Sequence, residues 1–362
     1  MAVSLAPDEL LRRVEGDVRR AIRRGRNGLR YAAGTERPKV GLTPKEVVWK
    51  RDKAEVWRYR GDEIAYAPPV LIVHSLVSRS YVLDLHPRNS AVRFLLGRGL
   101  DVMLLDWGVA DAVEAENTLE TYADGYLPKA IDAAREAAGT DDVTVLGYCF
   151  GGVLSLLSLA RNPELPVRNL AVMATPVDFG GMSTLTGLIR EGRLDPDELV
   201  DETGNVPPEA IANAFRLLRP TGDLASYATL WQHLWNDEYV EGYQAMAQWT
   251  RDHVPFPGAA FRQTVEALVR DNALAEGTLR LGGRPVDLGA ITVLFLNVMA
   301  ERDHIVPFDA ARPLTGLVGS DDVTELRLEA GHVGLVASRT AAKVTLPRIA
   351  DWIAAHSDRV EG

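Results

Sequence analysis

A single cysteine occurs in the 362 residues, and its neighbours are arranged as if to use it. Gly147, Tyr148, Cys149, Phe150, Gly151 and Gly152 follow the apolar run DVTVLGY from Asp142 and precede a helical segment over Gly152 to Ala160. The G-x-nucleophile-x-G spacing marks a sharp strand-to-helix bend, here with cysteine where serine is usual. Such a bend pushes the nucleophile out of a sheet, and glycines on either side let backbone approach where a Cβ would collide. The thiolate is the reactive form of cysteine, and the N-terminal end of a helix favours it. The backbone N–H of Phe150, at the head of that helix, is the expected first donor to the oxyanion of a tetrahedral intermediate.

A lone cysteine is more often an inert small hydrophobe than a nucleophile, so its partners decide. Asp303 sits in NVMAERDHIVP, beyond a strand expected to end near Val298. His332 sits in LEAGHVGLV, beyond a strand expected to end near Leu328. Cys, Asp, His is the chain order of an α/β-hydrolase triad, with acid and base each on a loop after a late strand. Two competitors share the acid's loop, Glu301 and His304. Asp303 with His332 is preferred because each lies where its loop should lean over the sheet, and His304 is expected to support the loop. The other histidines, His74, His86, His233, His253 and His356, do not pair at metal-ligand spacing, so no metal is expected. Neither a G-x-x-x-x-G-K-[ST] loop nor a G-x-G-x-x-G after the first strand occurs, and no nucleotide cofactor is expected.

These residues need a parallel sheet to carry them. A hairpin pattern, Glu46 to Lys50 and Glu55 to Arg60, is followed by strand and helix in alternation. The expected strands begin at Pro69, Asp101, Asp142 and Val167, with helices over Ala91 to Gly99, Leu119 to Ala138 and Gly152 to Ala160. Apolar strands separated by helices require crossover connections, hence an α/β fold. The rhythm fails between about Asp178 and Asp287, where Tyr227, Trp231, Trp235, Tyr239, Tyr243 and Trp249 fall in helical segments. It resumes with Ile291 to Val298, a helix after Pro307, a strand from Val323 and a helix over Leu346 to Ala355. The expected division is an N-terminal basic amphipathic helix (1–40), an α/β-hydrolase core with the elbow (41–177), an inserted helical cap (178–288) and the rest of the core with the acid and histidine loops (289–362). The cap should lie over the carboxyl edge of the sheet, where ligands bind in open α/β sheets.

Composition narrows the class. Forty basic against fifty acidic residues give a formal charge of −10, which disfavours general binding to nucleic acid. Apolar runs are strand-sized, so no transmembrane segment is expected. The opening MAVSLAPDELLRR places charges where a secretory leader needs apolar residues, and one cysteine forms no internal disulfide; both suit an intracellular protein. Eight arginines from Arg12 to Arg30 overlie Leu10, Leu11, Val14, Val18, Ala21 and Ile22 at helical spacing. That helix is expected to pack on its own domain with a solvated basic face, with a partner or an anionic surface as the alternative.

Taken together, GYCFGG at Gly147 to Gly152, LIVHSLVSRSYVLDL at Leu71 to Leu85, LLDWGVAD at Leu104 to Asp111, LWNDEYVEGY at Leu234 to Tyr243, GGRPVDLGAITV at Gly282 to Val293, AERDHIVP at Ala300 to Pro307 and AGHVGLVAS at Ala330 to Ser338 resemble a polyhydroxyalkanoate synthase over roughly residues 40 to 355. The short chain is most similar to the catalytic subunit of the two-subunit class III enzymes. The resemblance implies polymerisation of (R)-3-hydroxyacyl-CoA, such as 3-hydroxybutyryl-CoA, with coenzyme A released and the growing polyester carried on Cys149. It implies His332 as base and Asp303 as acid, no cofactor beyond the CoA thioester substrate, a second non-catalytic subunit, self-association and residence at cytoplasmic granules. A second oxyanion donor is expected from the loop after the His74 strand, at the backbone of Val77. Two positions depart from the family pattern: Ser78 stands before Arg79 where Asn is usual, and Ala110 where Pro is common. Two other activities fit the same residues, a thiol-dependent hydrolase of polyester or acyl-CoA and a non-catalytic granule-surface protein.

Overall fold

In the computed structural model, which describes residues 7–33, 38–182, 184–193, 195–218 and 222–360, nine strands form one sheet. In chain order these are β1 (Lys45–Arg51), β2 (Ala54–Tyr59), β3 (Tyr66–Val73), β4 (Leu100–Asp106), β5 (Val143–Tyr148), β6 (Val167–Met173), β7 (Leu294–Ala300), β8 (Val323–Leu328) and β9 (Asp358–Arg359). Their spatial order is β1-β2-β4-β3-β5-β6-β7-β8, with β9 antiparallel to Tyr66 and Ala67 at the start of β3. From β4 to β8 every neighbour is parallel, and the β1–β2 hairpin joins antiparallel to β4.

Period-two alternation explains why the central strands are apolar throughout. Leu71, Val73, Met103 and Leu105 enter one buried cluster with α3 (Leu127–Ala138) and α4 (Phe150–Arg161), while Val70, Ile72, Val102 and Leu104 enter another with α2 (Ala91–Leu96) and the last helix (Leu346–Ala355). A sheet covered on both faces exposes neither side of its strands, so a continuous Val/Leu/Ile run results.

Between β6 and β7 lie α5 (Thr184–Arg190), α6 (Pro208–Leu218), α7 (Gly222–His233), α8 (Asp237–Trp249) and α9 (Gly258–Gln263). The segment expected to be a helical cap also contains two short antiparallel ribbons, Asn205–Val206 with Phe256–Pro257 and Arg280–Leu281 with Arg284–Pro285. Its later part does not stand apart. Val265, Leu268, Leu274, Leu279 and Val286 share the buried cluster of α4, because their apolar side chains cover that face of the sheet. Nor do all its aromatics fill a core: Trp249 is buried, but Trp231 is 66% exposed.

The first helix, α1 (Pro7–Ala33), departs from expectation in its packing. Asn27 is its buried contact, donating to Leu234 O and Asp237 Oδ1, both at 2.7 Å, and Arg26 pairs with Asp237. The apolar stripe turns elsewhere: Val18 is 52% and Ile22 67% exposed. The side chains of Leu10, Leu11 and Val14 lie outside the described residues. The contact is made by the C-terminal part of α1: Asn27 and Arg26 meet the charged start of α8, and Tyr31 packs on Leu230, Leu234 and Val240 with its ring edge-on to Tyr243. Among the described residues no helix is long and apolar enough to cross a membrane.

Helix α4 is buried along its whole length and runs close beneath the sheet. That closeness makes two glycines obligatory. A Cβ on Gly151 would lie 2.1 Å from Val73 O, and one on Gly152 would lie 2.0 Å from Thr175 Oγ1. Gly152→Ala should therefore destabilise the fold by about 1–3 kcal/mol through overpacking. Adding Thr175→Ala should recover part of that loss in denaturant unfolding. Equal stability of Gly152→Ala and the parent protein would contradict the close approach.

Candidate active site

The bend between β5 and α4 places Cys149 at φ 56° and ψ −125°. A positive φ is costly for a residue with a Cβ and persists only where surroundings over-determine it. Here the Cys149 N–H donates to Met173 O at 2.9 Å, extending the β5–β6 ladder by one residue, while its carbonyl accepts from Gly152 N at 3.0 Å and opens α4. The chain turns from strand to helix within that one residue. Cys149 is partly accessible, unlike Tyr148 and Phe150 beside it, which are buried. Phe150 heads α4, so its N–H is one of the first-turn donors that a helix cannot satisfy internally.

Asp303 and His332 come from the loops after β7 and β8. Glu301 N donates to Leu328 O and Arg302 N to Ala330 O, each at 2.9 Å, which ties the two loops together. Asp303 is buried. Its Oδ1 accepts from Ile305 N at 2.8 Å and Val306 N at 2.9 Å, leaving Oδ2 for His332 Nδ1 at 2.8 Å. With Nδ1–H held by the carboxylate, Nε2 is the ring nitrogen left for Cys149. His332 is itself buried, and the Tyr148 OH donates to its carbonyl at 3.3 Å. The competitors on the acid's loop stay outside: His304 and Glu301 are exposed, and Glu301 pairs with Arg327.

Burial, the largest influence on His332, opposes its protonation, but the charges of Cys149 and Asp303 and hydrogen bonds to both outweigh it. The imidazole's pKa is pushed up to about 10. The ring thus sits between Cys149 on one side and the Asp303 carboxylate on the other, each of which favours its protonated form.

Val77 lies in the loop after β3. Its N–H reaches toward Ser75 Oγ at 3.5 Å, and His253 Nδ1 lies 3.4 Å from its carbonyl oxygen. The β3 end is directly against the elbow, since Val73 O and His74 O are the atoms that a Cβ on Gly151 would strike. One contributor to this region escaped the motif reading. His74 is buried, stacks near Tyr148 with 6.0 Å between ring centroids, and places Nε2 3.1 Å from Ser78 Oγ. Desolvation drives its pKa down to about 4, so it is a neutral ring beside His332. Its only sequence signal was its place at the end of a buried strand. Among the described residues no group of three or more metal-ligating side chains converges.

Replacing Asp303 by Asn removes one of the charges that raise the pKa of His332. The His332 ring of Asp303→Asn is expected to titrate about one pH unit or more below the parent's, followed by NMR of labelled histidine. A titration identical to the parent's would rule out this electrostatic contact.

Comparison with known proteins adds an independent finding. The family described as "alpha/beta hydrolase fold" matches residues 68–335, and "Poly-beta-hydroxybutyrate polymerase (PhaC) N-terminus" matches residues 30–95. The "Poly(3-hydroxyalkanoate) polymerase subunit PhaC" of Allochromatium vinosum is 36% identical over 357 residues, 97% of this chain and 98% of that protein. Its namesake from Haloferax mediterranei is 36% identical over 88% of this chain, which spans 65% of that longer protein. The one from Synechocystis is 33% identical, covering 87% of this chain and 85% of the relative. Among solved structures, a thermophilic esterase from Thermogutta terrifontis aligns with TM-score 0.52 and 16% identity, covering 88% of this chain and 100% of that one, a likeness of fold alone.

Proposed function

The chain belongs to the poly(3-hydroxyalkanoate) polymerase family, as a PhaC-type subunit, and from that premise we propose that it polymerises (R)-3-hydroxyacyl-CoA, 3-hydroxybutyryl-CoA being the expected substrate, through a thioester on Cys149. The observation that carries this reading is the buried Asp303–His332 pair placed beside a cysteine held at a strained elbow.

In the proposed reaction His332 takes the thiol proton of Cys149, and the resulting thiolate attacks the thioester carbonyl of the substrate. The oxyanion that forms takes hydrogen bonds from the N–H of Phe150 and, in this reading, that of Val77. Collapse breaks the bond to coenzyme A, whose sulfur leaves with the proton held on His332. One thioester has replaced another, so the acyl group stays activated; on serine it would rest as a more stable ester. The hydroxyl of a second acyl unit then attacks the enzyme-bound carbonyl and gives its proton to the site base; as the new ester bond forms, the C–S bond to Cys149 breaks and the released sulfur takes that proton back. His332 is the base toward Cys149, and Asp303 orients it and stabilises its charge, besides being the candidate base toward the incoming hydroxyl. No group beyond the substrate's own coenzyme A enters these steps.

Water would end the chain as a free acid, so the cap's role in this reading is to keep the acyl-enzyme dry. A second, non-catalytic subunit, self-association and residence at the polyester granule complete the proposal. The exposed apolar and basic faces of α1 support a contact with one of these partners.

Purified protein given 3-hydroxybutyryl-CoA should release coenzyme A and leave insoluble polyester, and Cys149→Ala should abolish both, a loss of at least about a thousandfold for a covalent nucleophile. Free hydroxy acid as the sole product would assign a hydrolase instead. Deleting the residues before Gly34 should leave turnover of the isolated chain nearly intact while weakening partner binding or granule association; unchanged binding and localisation would remove α1 from that role.

A further inference from the structure

We propose that the end of α8 and the residues after it, Trp249–His253, form a strap that holds the oxyanion loop Val77–Arg79 in place, with Asp252 as its positioning residue. The inference rests on the reading of Val77 as an oxyanion donor and adds what keeps that donor in position.

Contacts from one short cap segment converge on three consecutive loop residues about 170 positions earlier in the chain. Trp249, itself buried, donates from Nε1 to Arg79 O at 2.8 Å. Asp252 spans the loop's exit: Oδ1 pairs with Arg79 Nε at 3.3 Å, and Oδ2 accepts from the Tyr81 OH at 3.1 Å. His253 forms an isolated antiparallel bridge with Ser78 and places Nδ1 3.4 Å from Val77 O. From the core side the loop has a lighter hold, His74 Nε2 to Ser78 Oγ at 3.1 Å. Ser78 is therefore gripped from both sides, by its hydroxyl inside and its backbone outside.

The Arg79–Asp252 pair is about one-third exposed on each side, and such pairs add little to global stability. Their value here is orientation. An oxyanion donor works only near 3 Å from the developing charge, and a shift of about 1 Å in a positioning element can cost a hundredfold in rate. Within the loop the Val77 N–H makes a long contact to Ser75 Oγ at 3.5 Å, and the strap fixes the following carbonyls and backbone on which that direction depends. It follows that seating the cap and completing the oxyanion hole are one event. While the cap is lifted to admit coenzyme A or pass polymer, the thioester on Cys149 meets water without its full oxyanion support, and hydrolysis is slow at the moment of greatest exposure.

The test compares full-length Asp252→Ala and Trp249→Phe, which keeps the ring but lacks the indole N–H, with the parent protein. For both, kcat for coenzyme A release from 3-hydroxybutyryl-CoA should fall about tenfold or more with KM within about twofold, since one lost oxyanion donor costs about a hundredfold or more. The rate of Cys149 alkylation by iodoacetamide should stay at the parent value in both, because alkylation forms no oxyanion, and the thermal unfolding midpoint should stay there in Asp252→Ala, whose ion pair adds little to stability. Arg79→Ala combined with Asp252→Ala should be no slower than the worse single variant. Parent-like kcat in both variants, or alkylation falling in step with turnover, overturns the strap. Failure of the underlying reading shows differently, as coenzyme A release that survives Cys149→Ala.

Discussion

The site depends on a bend that one residue makes alone. Cys149 holds a positive φ because β6 claims its N–H, through Met173 O, while α4 claims its carbonyl. The cost of that conformation is offset by the packing of α4, buried along its length against the sheet. The glycines are a consequence of the same constraint. With the helix head pressed against Val73 O, His74 O and Thr175, no Cβ fits at Gly151 or Gly152. Backbone strain, helix burial and glycine placement are three views of a single geometric demand, that sulfur stand clear of the sheet at the head of a helix.

Around that fixed sulfur the electrostatics are arranged by sheet topology. Parallel strands deliver their carboxyl ends to one edge, so β3, β5, β7 and β8 each contribute a loop there. Asp303 is anchored by two backbone N–H groups through one oxygen, which leaves the other aimed at His332. The result is an imidazole whose protonated form is favoured in a buried pocket, while burial lowers the pKa of the neighbouring ring, His74. Two buried histidines are thus shifted in opposite directions, because only His332 has Cys149 and a carboxylate as partners.

The segment between β6 and β7 joins this arrangement in two ways. Apolar residues such as Val206, Phe256, Leu268 and Val286 merge with the core packed on α4, whereas Trp249, Asp252 and His253 reach the loop after β3 by directional contacts.

Much of this was legible in the residues themselves. Gly147, Cys149 and Gly151 announce the bend because glycine is demanded by local backbone geometry, and strand-helix alternation announces the parallel sheet because burial on both faces leaves uninterrupted apolar runs. The choice of Asp303 over Glu301 and His304 also followed from loop position, and burial separates them in the fold. Boundaries were less legible. The strand expected over Ile291 to Val298 runs from Leu294 to Ala300, since Asp287 Oδ1 caps a tight turn at Gly289 and delays it. What only the tertiary structure decided is who meets whom at long range: α1 docking by its C-terminal part at Asn27 and Tyr31, His74 beside Tyr148, and Asp252 clasping Arg79. Periodicity states that a side chain seeks burial or a partner; it carries no address for that partner, because the address is set by how the sheet orders its strands and where the cap comes to rest.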